Sequence, residues 1–342
     1  MPETYNIFSA LDKKRFHAKN RLVRSATGEY MTDENGYPTP ELLNLYENLA
    51  KGGVGTIIAS AAQVFPSDEE SNNFLLRINA EDCIKPLQAL TDAVKKHGVL
   101  IWQQIMIDDF EHKDSSGKFR PCPIDEMSRE EIDIVINAHI KGAEYAEKAG
   151  FDGVQIHAAH GFLLSRFLSP KYNHRQDEYG QNPLLIIEKI FEGIRQRVND
   201  EFHISIKINC QDFEKGGLTE EDCLKYCLRL AELGIDSIEI SGNETSRKGI
   251  VAKVNEAYFK NVAIELKKHI DTPVILVGGH RSIEMMNDLM AKSHIDALSL
   301  SRPLISEPDL PNRWQSGDTR PSRCISCNKC YSPTNGKCFM DC

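Results

Sequence analysis

Pro273-Val274-Ile275-Leu276-Val277-Gly278-Gly279 and Asp296-Ala297-Leu298-Ser299-Leu300-Ser301-Arg302 are two short apolar runs, and a segment with helical periodicity lies between them. Each is too short for a helix and too evenly apolar for a strand with one wet face. A parallel strand covered on both sides reads this way. Six more such runs precede them, at 21–26, 54–60, 99–104, 153–157, 204–208 and 236–240. Eight strand–helix units in series point to a closed (β/α)8 barrel, an α/β TIM barrel, rather than an open doubly wound sheet. The expected division is a barrel over 1–315 and a short cysteine-rich C-terminal extension over 316–342. The segment 306–323, rich in Pro, Asp and Arg, is expected to leave the barrel.

The intervening segments carry helix-end signals. Thr39-Pro40-Glu41 pairs an N-cap with proline at the first helical position. Ser128-Arg129-Glu130-Glu131 has the spacing of a capping box, with Gly150 as the stop of that helix. Thr219-Glu220-Glu221-Asp222 places acids at a positive helix start, and Gly234 ends the segment.

At 342 residues the chain can bury a sizeable core without covalent staples. Its 41 Lys and Arg against 50 Asp and Glu give a formal charge of −9, which argues against nucleic acid as a partner. A local basic pocket for one small phosphate remains compatible with that charge. The start of the chain lacks a signal-peptide hydrophobic region, and no apolar stretch reaches the roughly 18 residues of a bilayer span. A cytoplasmic protein with a small-molecule substrate and no membrane partner is the simplest reading. A homo-oligomer is left open.

In a barrel of this kind, chemistry sits at the carboxyl ends of the strands. The glycine pair Gly278-Gly279 lets backbone N–H groups approach a phosphate closely, and Ser301 and Arg302 follow the last strand. The alternative is a tight turn needing positive φ, beside a structural arginine. Lys207 lies inside the fifth run. It suits a cation beside an electron-rich ring, a nucleophilic amine in a non-redox lyase or isomerase, or a buried ion pair. Gln104 ends the third run with an amide that both donates and accepts. His157-Ala158-Ala159-His160 puts two imidazoles three residues apart, as paired donors to a carbonyl or nitro oxygen, or as metal ligands without an evident third.

The longest informative block is Gly150-Phe151-Asp152-Gly153-Val154-Gln155-Ile156-His157-Ala158-Ala159-His160-Gly161, continued by Phe162 through Pro170 and by Asn173, Arg175, Asp177, Tyr179 and Gly180. With Asn20 through Thr27 and Gly53 through Ala61, it resembles the old yellow enzyme family of NADH:flavin oxidoreductases over nearly the whole barrel. The resemblance implies FMN, held at its ring by Ala26, Thr27, Ala61, Gln104 and Lys207 and at its phosphate by Gly278, Gly279, Ser301 and Arg302. It implies NADH or NADPH as electron donor, and His157 and His160 on a substrate oxygen, with Tyr30 as a further contact. The implied reaction passes hydride from reduced FMN to an activated alkene such as an α,β-unsaturated carbonyl. The family's usual tyrosine two residues after the second histidine is here Phe162, so water or Tyr30 must supply the proton. Asn182-Pro183 and the segment 105–124 also depart from the family pattern.

Five of the ten cysteines fall within 324–342. Cys324-Ile325-Ser326-Cys327-Asn328-Lys329-Cys330, with Cys338 beyond, has iron–sulfur spacing and resembles the cluster region of the 2,4-dienoyl-CoA reductase and trimethylamine dehydrogenase branch of that family. Its last gap is shorter than in that branch. A [4Fe-4S] cluster, zinc on four thiolates, and a metal-free tail are the three readings.

Overall fold

The computed structural model describes residues 5–65, 75–113, 119–331, 337–338 and 340. Eight parallel strands close the barrel: β1 (Leu22–Arg24), β2 (Thr56–Gln63), β3 (Leu100–Met106), β4 (Gly153–Ala158), β5 (His203–Asn209), β6 (Ser237–Ser241), β7 (Val274–Val277) and β8 (Ala297–Leu300). Neighbours pair in chain order, and closure comes where β8 pairs with β1 in the register Ser299↔Val23. All eight sequence runs are therefore strands of one barrel. The chain is buried at every residue of β4, β5 and β6, as parallel strands under helices require.

β2 and β3 run further than the sequence suggests. Their register shifts between Ala59 and Ala62, an irregularity that places Ala61 where pairing is interrupted at the carboxyl end. Bulges of this kind re-aim side chains next to active sites.

The covering helices are α1 (Pro40–Lys51), α2 (Ile84–Lys95), α3 (Arg129–Lys148), α4 (Leu185–Arg195), α5 (Glu220–Leu233), α6 (Lys260–Leu266), α7 (Ile283–Ser293) and α8 (Leu310–Gln315). Their ends follow local chemistry. Thr39 caps α1 with Pro40 behind it, and Ser128 with Glu131 forms the expected capping box on α3. Thr219 and Asp222 do the same on α5, which ends at Gly234 in the left-handed region at φ 94°. One expectation is corrected by α8. The segment 306–323 does not leave the barrel: Leu310, Pro311 and Trp314 are buried, and the Asn312 backbone N–H donates to Gly52 O at 3.1 Å. Its polar composition concealed three apolar anchors, which dock α8 against the end of α1.

The amino end of the barrel is plugged by an antiparallel hairpin, Leu11–Lys13 with Phe16–Ala18. Phe16 enters the barrel and packs on Trp102, with ring centroids 4.7 Å apart. Trp102 stacks on His203 at 4.0 Å. Leu11, Val23, Ile58, Ile275 and Ala297 complete this lower core. Described side chains therefore fill the barrel at this end.

Candidate active site

A cavity of about 720 Å3, including its opening to solvent, lies at the carboxyl end. Ala26, Thr27, His160, Lys207, Gly279, Ser301 and Arg302 all line it. Residues up to some 280 positions apart are brought together because β1, β5, β7 and β8 all end there. Among the described lining residues, Lys207, Arg281 and Arg302 are cationic and none is Asp or Glu. A chain of formal charge −9 has collected three cations and no acid around one hollow. That donor set fits an anion such as a phosphate.

The glycine pair takes conformations that L side chains avoid, with φ 135° at Gly278 and 79° at Gly279. A Cβ on Gly279 would come 2.7 Å from the Tyr258 ring, so the approach is also too close for any other residue. Positive φ alone would explain a turn, but Gly279 also lines the cavity. Thr27 and Ser301 hydroxyls meet at 2.9 Å across the β1–β8 seam.

Arg302 and Arg281 are both buried and partly committed. Arg302 Nη1 donates to Arg247 O at 2.9 Å and to Asn328 Oδ1 at 2.6 Å. Arg281 donates to Cys324 O at 3.1 Å and Ser326 Oγ at 2.7 Å. The start of the cysteine tail is thus clamped beside the cavity, and Tyr331 forms part of its wall. The sequence reading missed Arg281, Tyr258, Ser246 and Tyr331. Arg281 stands two residues past the glycine pair, and that adjacency was the available signal.

His157 and His160 lie at the end of β4, with ring centroids 5.1 Å apart and ring planes at 87°. His157 Nδ1 accepts the Ala159 N–H at 3.3 Å, so its proton belongs on Nε2, which becomes a donor. His160 Nε2 stands 2.8 Å from Ser241 Oγ, and its backbone N–H donates to Asn209 Oδ1 at 3.0 Å. Burial, then His160 and the Lys207 ammonium, push His157 well below the ordinary imidazole range. Burial and Lys207 bring His160 down to about 3. Both rings are neutral near pH 7, which suits donors better than acids. Phe162 packs edge-on against His157 at 4.9 Å and has no proton to give.

Ala61, Gln104, His157, Gly278 and Tyr30 are not among the residues lining this cavity. Tyr30 is half exposed at φ 55°, with its ring folded over Gly28 at the rim. Gln104 is buried, and its amide donates to Gln155 Oε1 at 2.7 Å rather than into the mouth. The four cysteines Cys324, Cys327, Cys330 and Cys338 line one small hollow beside Arg302. Among the described residues, no group of three or more His, Cys, Asp or Glu is placed to hold a metal ion. No helix among them is long and apolar enough to cross a membrane.

Residues 6–320 match the model of the NADH:flavin oxidoreductase / NADH oxidase family. The NADH oxidase of Thermoanaerobacter brockii is 28% identical, over 94% of this chain and 53% of its own length. The NADPH dehydrogenase of Clostridium acetobutylicum is 29% identical, over 88% and 92% respectively. The chain therefore spans about half the length of the first of these relatives and nearly all of the second. The structure of an old yellow enzyme homologue from Zymomonas mobilis superposes with a TM-score of 0.74 at 22% identity, covering 91% of this chain and 92% of that one, and has the same fold.

Proposed function

The chain belongs to the NADH:flavin oxidoreductase / NADH oxidase family, and on that premise we propose that it is an FMN-dependent NAD(P)H oxidoreductase acting on an activated small-molecule acceptor. The observation that carries this reading is the cavity lined by Lys207, Arg281 and Arg302 without a carboxylate, with the neutral His160 in its lining and the neutral His157 ring 5.1 Å from it. When bound, FMN would supply the hydride chemistry, taking it from NADH or NADPH and giving it to an α,β-unsaturated carbonyl-type acceptor.

The protein's own residues divide the remaining work. Gly278, Gly279, Ser301 and Arg302 would hold the phosphate, with Arg281 beside them. Ala26, Thr27 and Lys207 line the cavity and would hold the ring, whereas Ala61 and Gln104 stand outside that lining, with the Gln104 amide on Gln155. His157 Nε2–H would donate to the substrate oxygen as that oxygen gains charge, with His160 as its partner. A fixed donor in a dry site is worth about 10²–10³ in rate. Because the rings are neutral, they stabilise charge without giving up a proton. With Phe162 in place of a hydroxyl, the proton would come from Tyr30 at the rim or from water.

A non-redox lyase or isomerase built on Lys207 finds no support in these relatives. The Lys207 ammonium is also paired, with Glu239 at 3.2 Å, rather than free to form a Schiff base. The four tail cysteines share one hollow but are not placed to hold a metal there, so a metal on that tail is a separate reading that rests on their spacing. Iron, sulfide and zinc analysis of protein purified without oxygen distinguishes a cluster, zinc and an empty tail.

The function is tested by the absorption spectrum of anaerobic protein during titration with NADH and with NADPH. A two-band flavin spectrum that bleaches with either donor, and recovers on addition of an enone, supports the reading. A protein that binds no FMN, or whose bound FMN neither nicotinamide reduces, overturns it.

A further inference from the structure

Inside the barrel, behind the lining of the cavity, Glu239 on β6 is fully buried. Both its oxygens are occupied. Oε1 accepts from Ser25 Oγ at 2.9 Å and Ser299 Oγ at 2.6 Å. Oε2 accepts from Gln155 Nε2 at 2.8 Å and faces Lys207 Nζ at 3.2 Å. Lys207 also donates to Ser25 Oγ at 2.9 Å, which closes a ring of three groups. Lys207, Ser25 and Ser299 line the cavity, whereas Glu239 does not. The carboxylate therefore reaches the ligand space only through the groups that surround it.

This arrangement is costly for fold alone. An ion pair taken out of water rarely gains more from its attraction than it loses in hydration. A core of eight strands could be filled by side chains without charge, as its lower end is by the plug and the neutral His203. Glu239 and Lys207 are instead opposite each other in the β5–β6 register. One face of the lysine is turned to the carboxylate and the other to the cavity. The charge that a ligand feels is then the difference between the two, and not a full positive unit.

We propose that Glu239 sets the reduction potential of the bound flavin by partly cancelling the charge of Lys207. The inference rests on the reading above, in which Lys207 faces the FMN ring. Reduction adds negative charge to the ring, so a cation nearby raises the potential and an anion behind that cation lowers it again. Glu239 is a positioning residue in this scheme, since it acts through Lys207. Gln155 and Gln104 continue the chain of hydrogen bonds on the far side and hold the carboxylate in place.

The test is the midpoint potential of bound FMN, measured by anaerobic reductive titration against reference dyes. Four proteins are compared: the wild type, Glu239→Gln, Lys207→Met and the double variant. Glu239→Gln is expected to favour the reduced form at least tenfold, a rise of about 30 mV for a two-electron couple. Lys207→Met is expected to shift the potential the other way, and because a buried carboxylate that has lost its counter-ion is neutral, the glutamine change is expected to do little in that background. Glu239→Asp, which withdraws the charge by one methylene, is expected to give a smaller rise and serves if the glutamine variant does not fold. If Lys207→Met lowers the potential but neither Glu239 variant raises it, the proposal is overturned and the cofactor site stands. An equal rise with and without Lys207 also overturns it. If Lys207→Met binds FMN at an unchanged potential, the assignment of Lys207 to the ring fails and takes the proposal with it.

Discussion

The two ends of this barrel are made from the same eight strands and filled in opposite ways. Below, Phe16, Trp102, Val23, Ile58, Ile275 and Ala297 form an apolar plug with one neutral histidine, His203, stacked in it. Above, Ser25, Gln155, Lys207, Glu239 and Ser299 form a hydrogen-bonded polar layer that opens into a cavity. The lower end stabilises by excluding water from large surfaces. The upper end spends some of that stability on buried charge, which only a ligand or a reaction would justify. Burial alone therefore does not distinguish core from site in this protein; the polarity of what is buried does.

Four outcomes bear on this contrast. The largest is expected at the plug. Phe16→Ala should lower stability by about 3–5 kcal/mol, as for other large-to-small core changes, and leave FMN content per folded molecule unchanged. Chemical denaturation with flavin quantification measures both, and loss of FMN from folded protein would show that the two ends are coupled. Next, His157→Ala should lower turnover by about 10²–10³ with little change in stability, read by steady-state kinetics beside thermal melts. Arg302→Ala should weaken FMN binding by about 1.5–3 kcal/mol, because it removes one charged hydrogen-bonding partner, and fluorescence titration reads this.

The fourth outcome concerns pH. Burial lowers His203 to about 4 and, with Lys207, lowers His160 to about 3, whereas in the unfolded chain both return to about 6.5. Between those values the unfolded chain binds more protons than the folded one. The stability these rings contribute is complete above about pH 6.5 and is lost as the pH falls toward 4 and then 3. Melts from pH 7.5 to 4.5 should show this decline. Turnover per flavin-loaded molecule should show no inflection near 6.5, and an inflection there would contradict neutral imidazole donors.

Much of this was legible in the sequence, for a physical reason. Parallel strands buried on both faces give continuous apolar runs, so all eight were visible, and the caps at Thr39, Ser128 and Thr219 gave their side-chain chemistry away locally. The hairpin plug was not visible, because three-residue strands without turn glycines carry no periodicity. α8 was misjudged, since two large anchors, Leu310 and Trp314, sit in an otherwise polar segment. In the site, residues at strand ends were found, and seven of those named line one cavity. Glu239 was missed because, unlike Lys207, it does not line the cavity and acts only through its neighbours. The pairing of Ile206-Lys207-Ile208 with Ile238-Glu239-Ile240 on successive strands, opposite charges each set between isoleucines, was the signal that would have exposed it.

Whether the mouth of the barrel is the seat of the FMN phosphate is decided by one comparison, calorimetric titration of the flavin-free protein with FMN and with riboflavin. Riboflavin has the same ring and lacks the phosphate. With Arg302, Ser301 and the Gly278-Gly279 turn on the phosphate, FMN should bind about a hundredfold more tightly or better. Equal affinity for the two would contradict the account and leave the three cations around the cavity without their assigned ligand.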